Sequence, residues 1–99
     1  MSVRHVALFR WRDGVTPAQV EAVERALRAL PGAIPVIRDY RFGRDLGVNE
    51  GNADFAVVAD FDSLDGYLAY RDHPEHRAVL TGVVGPLLAS RVTVQYETG

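Results

Sequence analysis

Two stretches, Val3 to Trp11 and Phe55 to Phe61, alternate like β-strands yet carry apolar side chains on both alternations. Successive residues of a strand point to opposite faces, so both strands need cover on both sides. In the first, Val3, His5, Ala7, Phe9 and Trp11 share one face, while Val6 and Leu8 stand between Arg4 and Arg10 on the other. In the second, Phe55, Val57, Ala59 and Phe61 oppose Ala56 and Val58. The sheet therefore needs two apolar layers, one against each face.

The rest of the chain supplies one of them. Thr16-Pro17-Ala18-Gln19 is a helix start, with Thr16 as cap, Pro17 at the first helical position and Gln19 closing a capping box. Val20, Val23, Leu27 and Leu30 then make one apolar stripe, and Pro31-Gly32 is expected to end the helix. Val36 to Asp45 reads as a second strand with Val36, Tyr40 and Phe42 on one face, and Leu46 to Asn52 as a loop. Asp62-Ser63 starts a second helix from Leu64 to about Asp72. Pro74 interrupts it, because the residue before a proline avoids helical angles, and opens a short helix to about Thr81. Gly82, Gly85 and Pro86 are expected to break the chain again before the last strand, Arg91 to Glu97, with Val92, Val94 and Tyr96 on one face.

The order β-α-β-β-α-β predicts an α+β, ferredoxin-like fold: one domain over residues 1–99, with a four-stranded antiparallel sheet and helices on one face. The bare apolar face calls for a second copy of the same sheet, so we expect a homodimer joined through the sheet face, a dimeric α+β barrel. With 99 residues the chain buries only roughly 60–65% of its unfolded surface, and a second subunit would help.

Composition narrows the partners. Eleven basic residues, all Arg and scattered, against 13 acidic ones give a net charge of −2 and no electrostatic reason to expect nucleic acid. There is no Cys, and so no thiolate chemistry or disulfide. No apolar run approaches a membrane span and the start has no signal-peptide pattern, so no membrane partner and a cytoplasmic location are expected. Gly43-Arg44-Asp45-Leu46-Gly47 is followed by no Gly-Lys-Ser/Thr and is no phosphate loop; no nucleotide, flavin or haem motif is present, and no cofactor is expected.

Chemistry concentrates in Tyr70-Arg71-Asp72-His73-Pro74-Glu75-His76, which holds a phenol and two of the three histidines. Imidazole and phenol move and hold protons near neutral pH. Tyr70 and His76 would not share a face of one continuous helix, but the break at His73-Pro74 can turn both toward the sheet. His5 shares the bulky face of the first strand with Phe9 and Trp11, a reasonable pocket wall. Each residue has a plainer reading too: His76 as a helix-end histidine bonded to backbone, Tyr70 as a half-buried core tyrosine, His5 as a satisfied core histidine. His73 reads as the cap of the helix begun by Pro74. His73 and His76 stand at chelating spacing, but no third ligand follows at a diagnostic distance, so no metal site is expected.

Arg4-His5 before the Ala-Leu-Phe strand, Ile34-Pro35, Asp39, Gly43-Arg44-Asp45, Phe61-Asp62-Ser63 and above all Tyr70-x-x-His73-Pro74-x-His76 resemble the stress-responsive dimeric α+β barrel (Dabb) family along nearly the whole chain. The resemblance implies homodimers joined through their sheets. Within the family the chain looks like the plant polyketide-cyclase branch, which closes rings by aldol condensation without a cofactor. That implies His76 as base, Tyr70 beside it as donor and His5 in the pocket. It also implies a pocket lined by Phe9, Trp11, Leu27, Phe55 and His73. Leu27 stands where that branch has a tyrosine and Phe55 where it has a histidine, so the pocket here is expected to be more apolar. The expected ligand is a small apolar carbonyl or aromatic compound, and a cavity of ~300 Å³ or more would suit it. The rival expectation is a non-catalytic stress-related binding or structural dimer. Nearness to dimeric barrels that oxygenate phenols without a cofactor is a weaker third.

Overall fold

The computed structural model describes residues 1–99. Its elements are β1 (Ser2–Trp11), α1 (Pro17–Ala33), β2 (Asp39–Arg44), β3 (Phe55–Phe61), α2 (Leu64–Asp72), α3 (Pro74–Val79) and β4 (Leu88–Thr98). The strands form one antiparallel sheet in the order β2-β3-β1-β4, the ferredoxin-like arrangement expected. His5 stands opposite Ala59 on one side and Gln95 on the other, which centres it in the sheet.

Helix α1 begins as its sequence dictates. Thr16 Oγ1 accepts from the Gln19 N–H at 3.2 Å while Gln19 Oε1 accepts from the Thr16 N–H at 2.8 Å. Its stripe of Val20, Val23, Leu27 and Leu30 is buried in one core with Phe9, Phe55, Val57 and Phe61 of the sheet. The helix does not stop at Pro31-Gly32 but runs to Ala33. A proline this close to the end forfeits a single backbone bond. Leu30 and Ile34, both buried, hold the last turn on the sheet, and the Ile34 N–H closes it on the Leu30 carbonyl at 2.9 Å.

Two more boundaries move for the same reason. The second strand starts at Asp39, not Val36, because Val36 and Ile37 pack against the core as a turn in which the Ile37 N–H reaches the Ile34 carbonyl. Beyond α3, Gly82, Gly85 and Pro86 do not open the coil. Leu80–Val84 winds as a π-helical turn and Gly85–Leu87 as a 3-10 turn, so β4 begins at Leu88. Val84, fully buried, holds this coil against the sheet.

The helices cover only the face bearing Val3, His5, Ala7 and Phe9, all buried. The opposite face carries Leu8, Val92, Val94 and Tyr96, which are exposed, and the cross-strand neighbours Arg4 and Asp60 joined by two hydrogen bonds of 2.7 and 3.1 Å. Arg4 holds the Asp60 carboxyl below its ordinary range. No helix is long and apolar enough to cross a membrane.

Candidate functional site

Between β1, α2 and α3 the helix-covered face leaves a hollow of about 130 Å³, walled by His5, Ala7, Phe9, Leu27, Val57, Tyr70, His76 and Leu80. His5, Tyr70 and His76, distant in sequence, meet there. The route is the break at His73-Pro74. The His73 backbone N–H closes α2 on the Tyr70 carbonyl, and its Nδ1 accepts from the Glu75 N–H at 3.1 Å to start α3. The redirected chain lays the His76 ring on that of Tyr70, with centroids 4.0 Å apart, and Tyr70 lies 6.0 Å from His5.

Hydrogen bonds set the protons. His76 Nδ1 lies 3.1 Å from the Arg71 carbonyl, which can only accept. Nδ1 therefore carries the proton and Nε2 keeps its lone pair. On His5 the assignment is reversed: the Gln95 amide nitrogen, as placed, donates to Nδ1 at 2.9 Å, and the proton resides on Nε2. One ring is thus set to accept and the other to donate.

Burial fixes the charge. His5 is pushed down to about 4 by burial first, then by His76 when that ring is protonated and by the charge of Arg91. Burial lowers His76 as well, partly opposed by its bond to the Arg71 carbonyl. Both imidazoles are neutral at pH 7. The Tyr70 hydroxyl lies 2.9 Å from that of Tyr40. Burial pushes Tyr40 up to about 12 and Tyr70 far higher, so both phenols keep their protons.

Of the remaining residues expected in the pocket, Phe9 and Leu27 line the hollow, but Trp11, Phe55 and His73 do not. Trp11 is one alternation too far along β1, at a register shift between Arg10 and Trp11, and packs its ring tilted against Phe9 and Phe55. Phe55 is packed solid, stacked between Phe9 and Phe42. His73 spends its ring on the cap of α3. The cavity is also smaller than the ~300 Å³ expected; an apolar space of about 150 Å³ takes a single benzene ring. Tyr40, Tyr67, Arg91 and Thr93 also wall this hollow, beyond the residues expected from the sequence. The alternation of β4 held the signal for two of them, since Arg91 and Thr93 oppose the face of Val92 and Val94.

Comparison with known proteins agrees with this architecture. A crystal structure of a dimeric ferredoxin-like protein of unknown function from Thermobifida fusca superimposes with a TM-score of 0.91 at 58% identity, covering 99% of this chain and 92% of that one. An uncharacterised protein of Streptomyces coelicolor is 34% identical over 79 residues, 77% of this chain and 80% of its own. Olivetolic acid cyclase of Cannabis sativa is 26% identical over 78 residues, 77% of each chain. The model of the stress responsive A/B barrel domain matches residues 3–98, and the chain belongs to that family, Dabb.

Proposed function

We propose that this protein is a homodimer, joined through its open sheet face, that binds a small apolar carbonyl or aromatic compound and performs cofactor-free acid–base chemistry on it. The observation that carries the reading is the convergence of His76, Tyr70 and His5 on one apolar hollow, with the His76 proton tied to the Arg71 carbonyl. A neutral imidazole with a free lone pair suits removal of a proton from carbon next to a carbonyl. In that step His76 Nε2 takes the proton and the C–H electron pair becomes an enolate, whose oxygen is held by the Tyr70 hydroxyl or the His5 N–H. The enolate carbon then bonds to a second carbonyl carbon, the new alkoxide recovers the proton from His76, and loss of the resulting hydroxyl as water followed by enolisation makes the ring aromatic. The cyclase among the relatives supports this class of reaction, and the dimeric relative supports the assembly.

The test is ligand recovery and turnover. Mass spectrometry of wild type and His76→Ala identifies what is retained, and a short polyketide thioester is followed by the absorbance of an aromatic product. Wild type is expected to turn over and His76→Ala to lose about 10²–10⁴-fold in rate while still folding. A wild type that retains no ligand and forms no product overturns the enzymatic reading and leaves a non-catalytic dimer.

A further inference from the structure

The mouth of the hollow carries an unspent positive charge. Arg91 and Thr93, two residues apart on the same face of β4, line the hollow beside His5 and His76. The ion pairs of the protein use Arg4, Arg38, Arg41, Arg44 and Arg71, and none involves Arg91. Arg71, the other arginine at the hollow, is neutralised by Asp72 through contacts of 2.9 and 3.1 Å. No Asp or Glu lines the space, both imidazoles are neutral and both phenols keep their protons.

A guanidinium offers a planar fork of donors that matches a carboxylate, and Thr93, lining the hollow beside it, adds a hydroxyl that can donate. A surface arginine usually finds a carboxylate nearby or points into bulk water. Arg91 is exposed too, but it stands on a strand at the rim of a largely apolar space close to the size of one ring. We infer that the ligand of this hollow is an anion, a carboxylate on a single-ring or equally small carbonyl skeleton, with its acid group on Arg91 and Thr93 and its apolar part inside against Phe9 and Leu27. The inference rests on the proposed binding function and names the class of compound. It also orients the guest, since an acid group anchored on β4 directs the opposite end toward Tyr70 and His76. His5 and His76 also feel the charge of Arg91, which lowers both, so the arginine helps keep them neutral until an anion screens it.

Benzoate and benzamide, nearly equal in shape and different in charge, test this by calorimetric titration of the wild type and Arg91→Gln. Wild type is expected to bind benzoate at least ~10-fold more tightly than benzamide at low salt, with the preference shrinking at high salt as for any exposed ion pair. In Arg91→Gln the two should bind within about twofold of each other. Equal binding of both in wild type, or a preference that survives in Arg91→Gln, overturns the anion anchor but leaves the hollow as a ring-binding site. Failure of wild type to bind either compound overturns the anchor and the binding function together.

Discussion

His5 and His76 lie 7% exposed each and are held uncharged, and this ties stability to pH. In the unfolded chain an imidazole titrates near 6.5, whereas folded His5 is pushed down to about 4. Between those values the unfolded state binds more protons, so stability is complete above about pH 6.5 and declines as pH falls toward 4. The decline from His5 is on the order of 3 kcal/mol. Urea unfolding at about pH 7.5, 5.5 and 4.5 should show it, and His5→Gln should reduce the slope, leaving the share of His76. Carboxylates held low by ion pairs, Asp60 by Arg4 and Glu24 by Arg44, add their own decline below about pH 5, so the share of His5 is read from the difference between wild type and variant. An equal slope in wild type and His5→Gln would assign the acid sensitivity elsewhere. The proposed chemistry shares this acid limb, since protonated His76 is no base.

The coil between α3 and β4 is sensitive to single atoms. A Cβ on Gly85 would lie 2.7 Å from the Leu80 carbonyl oxygen, a backbone atom with no room to retreat. Gly85→Ala is therefore expected to cost about 1–3 kcal/mol in urea unfolding, whereas Gly82→Ala, with nothing within reach, should stay within about 0.5 kcal/mol. A Gly85→Ala variant as stable as wild type would mean that the coil relaxes. At this scale local chemistry was readable in advance. The Thr16–Gln19 capping box and the break at His73-Pro74 involve residues within one turn of each other, and both formed where expected. Pro31, Val36 and Gly82 depart from local preference because Leu30, Ile34 and Val84, buried in the core, hold the chain where that preference would release it. The site was half legible by the same logic. Alternation put His5 and Phe9 on the face of the hollow and the family resemblance pointed to Leu27, all three of which line it, but alternation cannot say how far along a strand a hollow extends, so Trp11 is expected there and Arg91 is not.

On the scale of the molecule, the open sheet face is where the proposed dimer is tested. Val94 is 54% exposed and Val92 64% exposed, beside Leu8 and Tyr96. A valine fully buried gains roughly 1.5–3 kcal/mol, so a few such side chains meeting their copies can hold two subunits together. Val94→Arg should leave the fold of the protomer intact and raise the dimer dissociation constant by about 100-fold or more, through desolvation of the new charge. Sedimentation analysis of wild type and variant decides it; a Val94→Arg protein that remains dimeric would place the contact elsewhere. Strand β4 is also where Arg91 and Thr93 line the hollow and Gln95 holds the His5 ring, all from the face opposite Val92 and Val94. With subunits joined through the open face, β4 becomes a party wall: the guest leans on one side and the sister chain on the other. A tilt of that wall is felt in both rooms, so filling the hollow should tighten the pair, and loosening the pair should blur the grip on the guest.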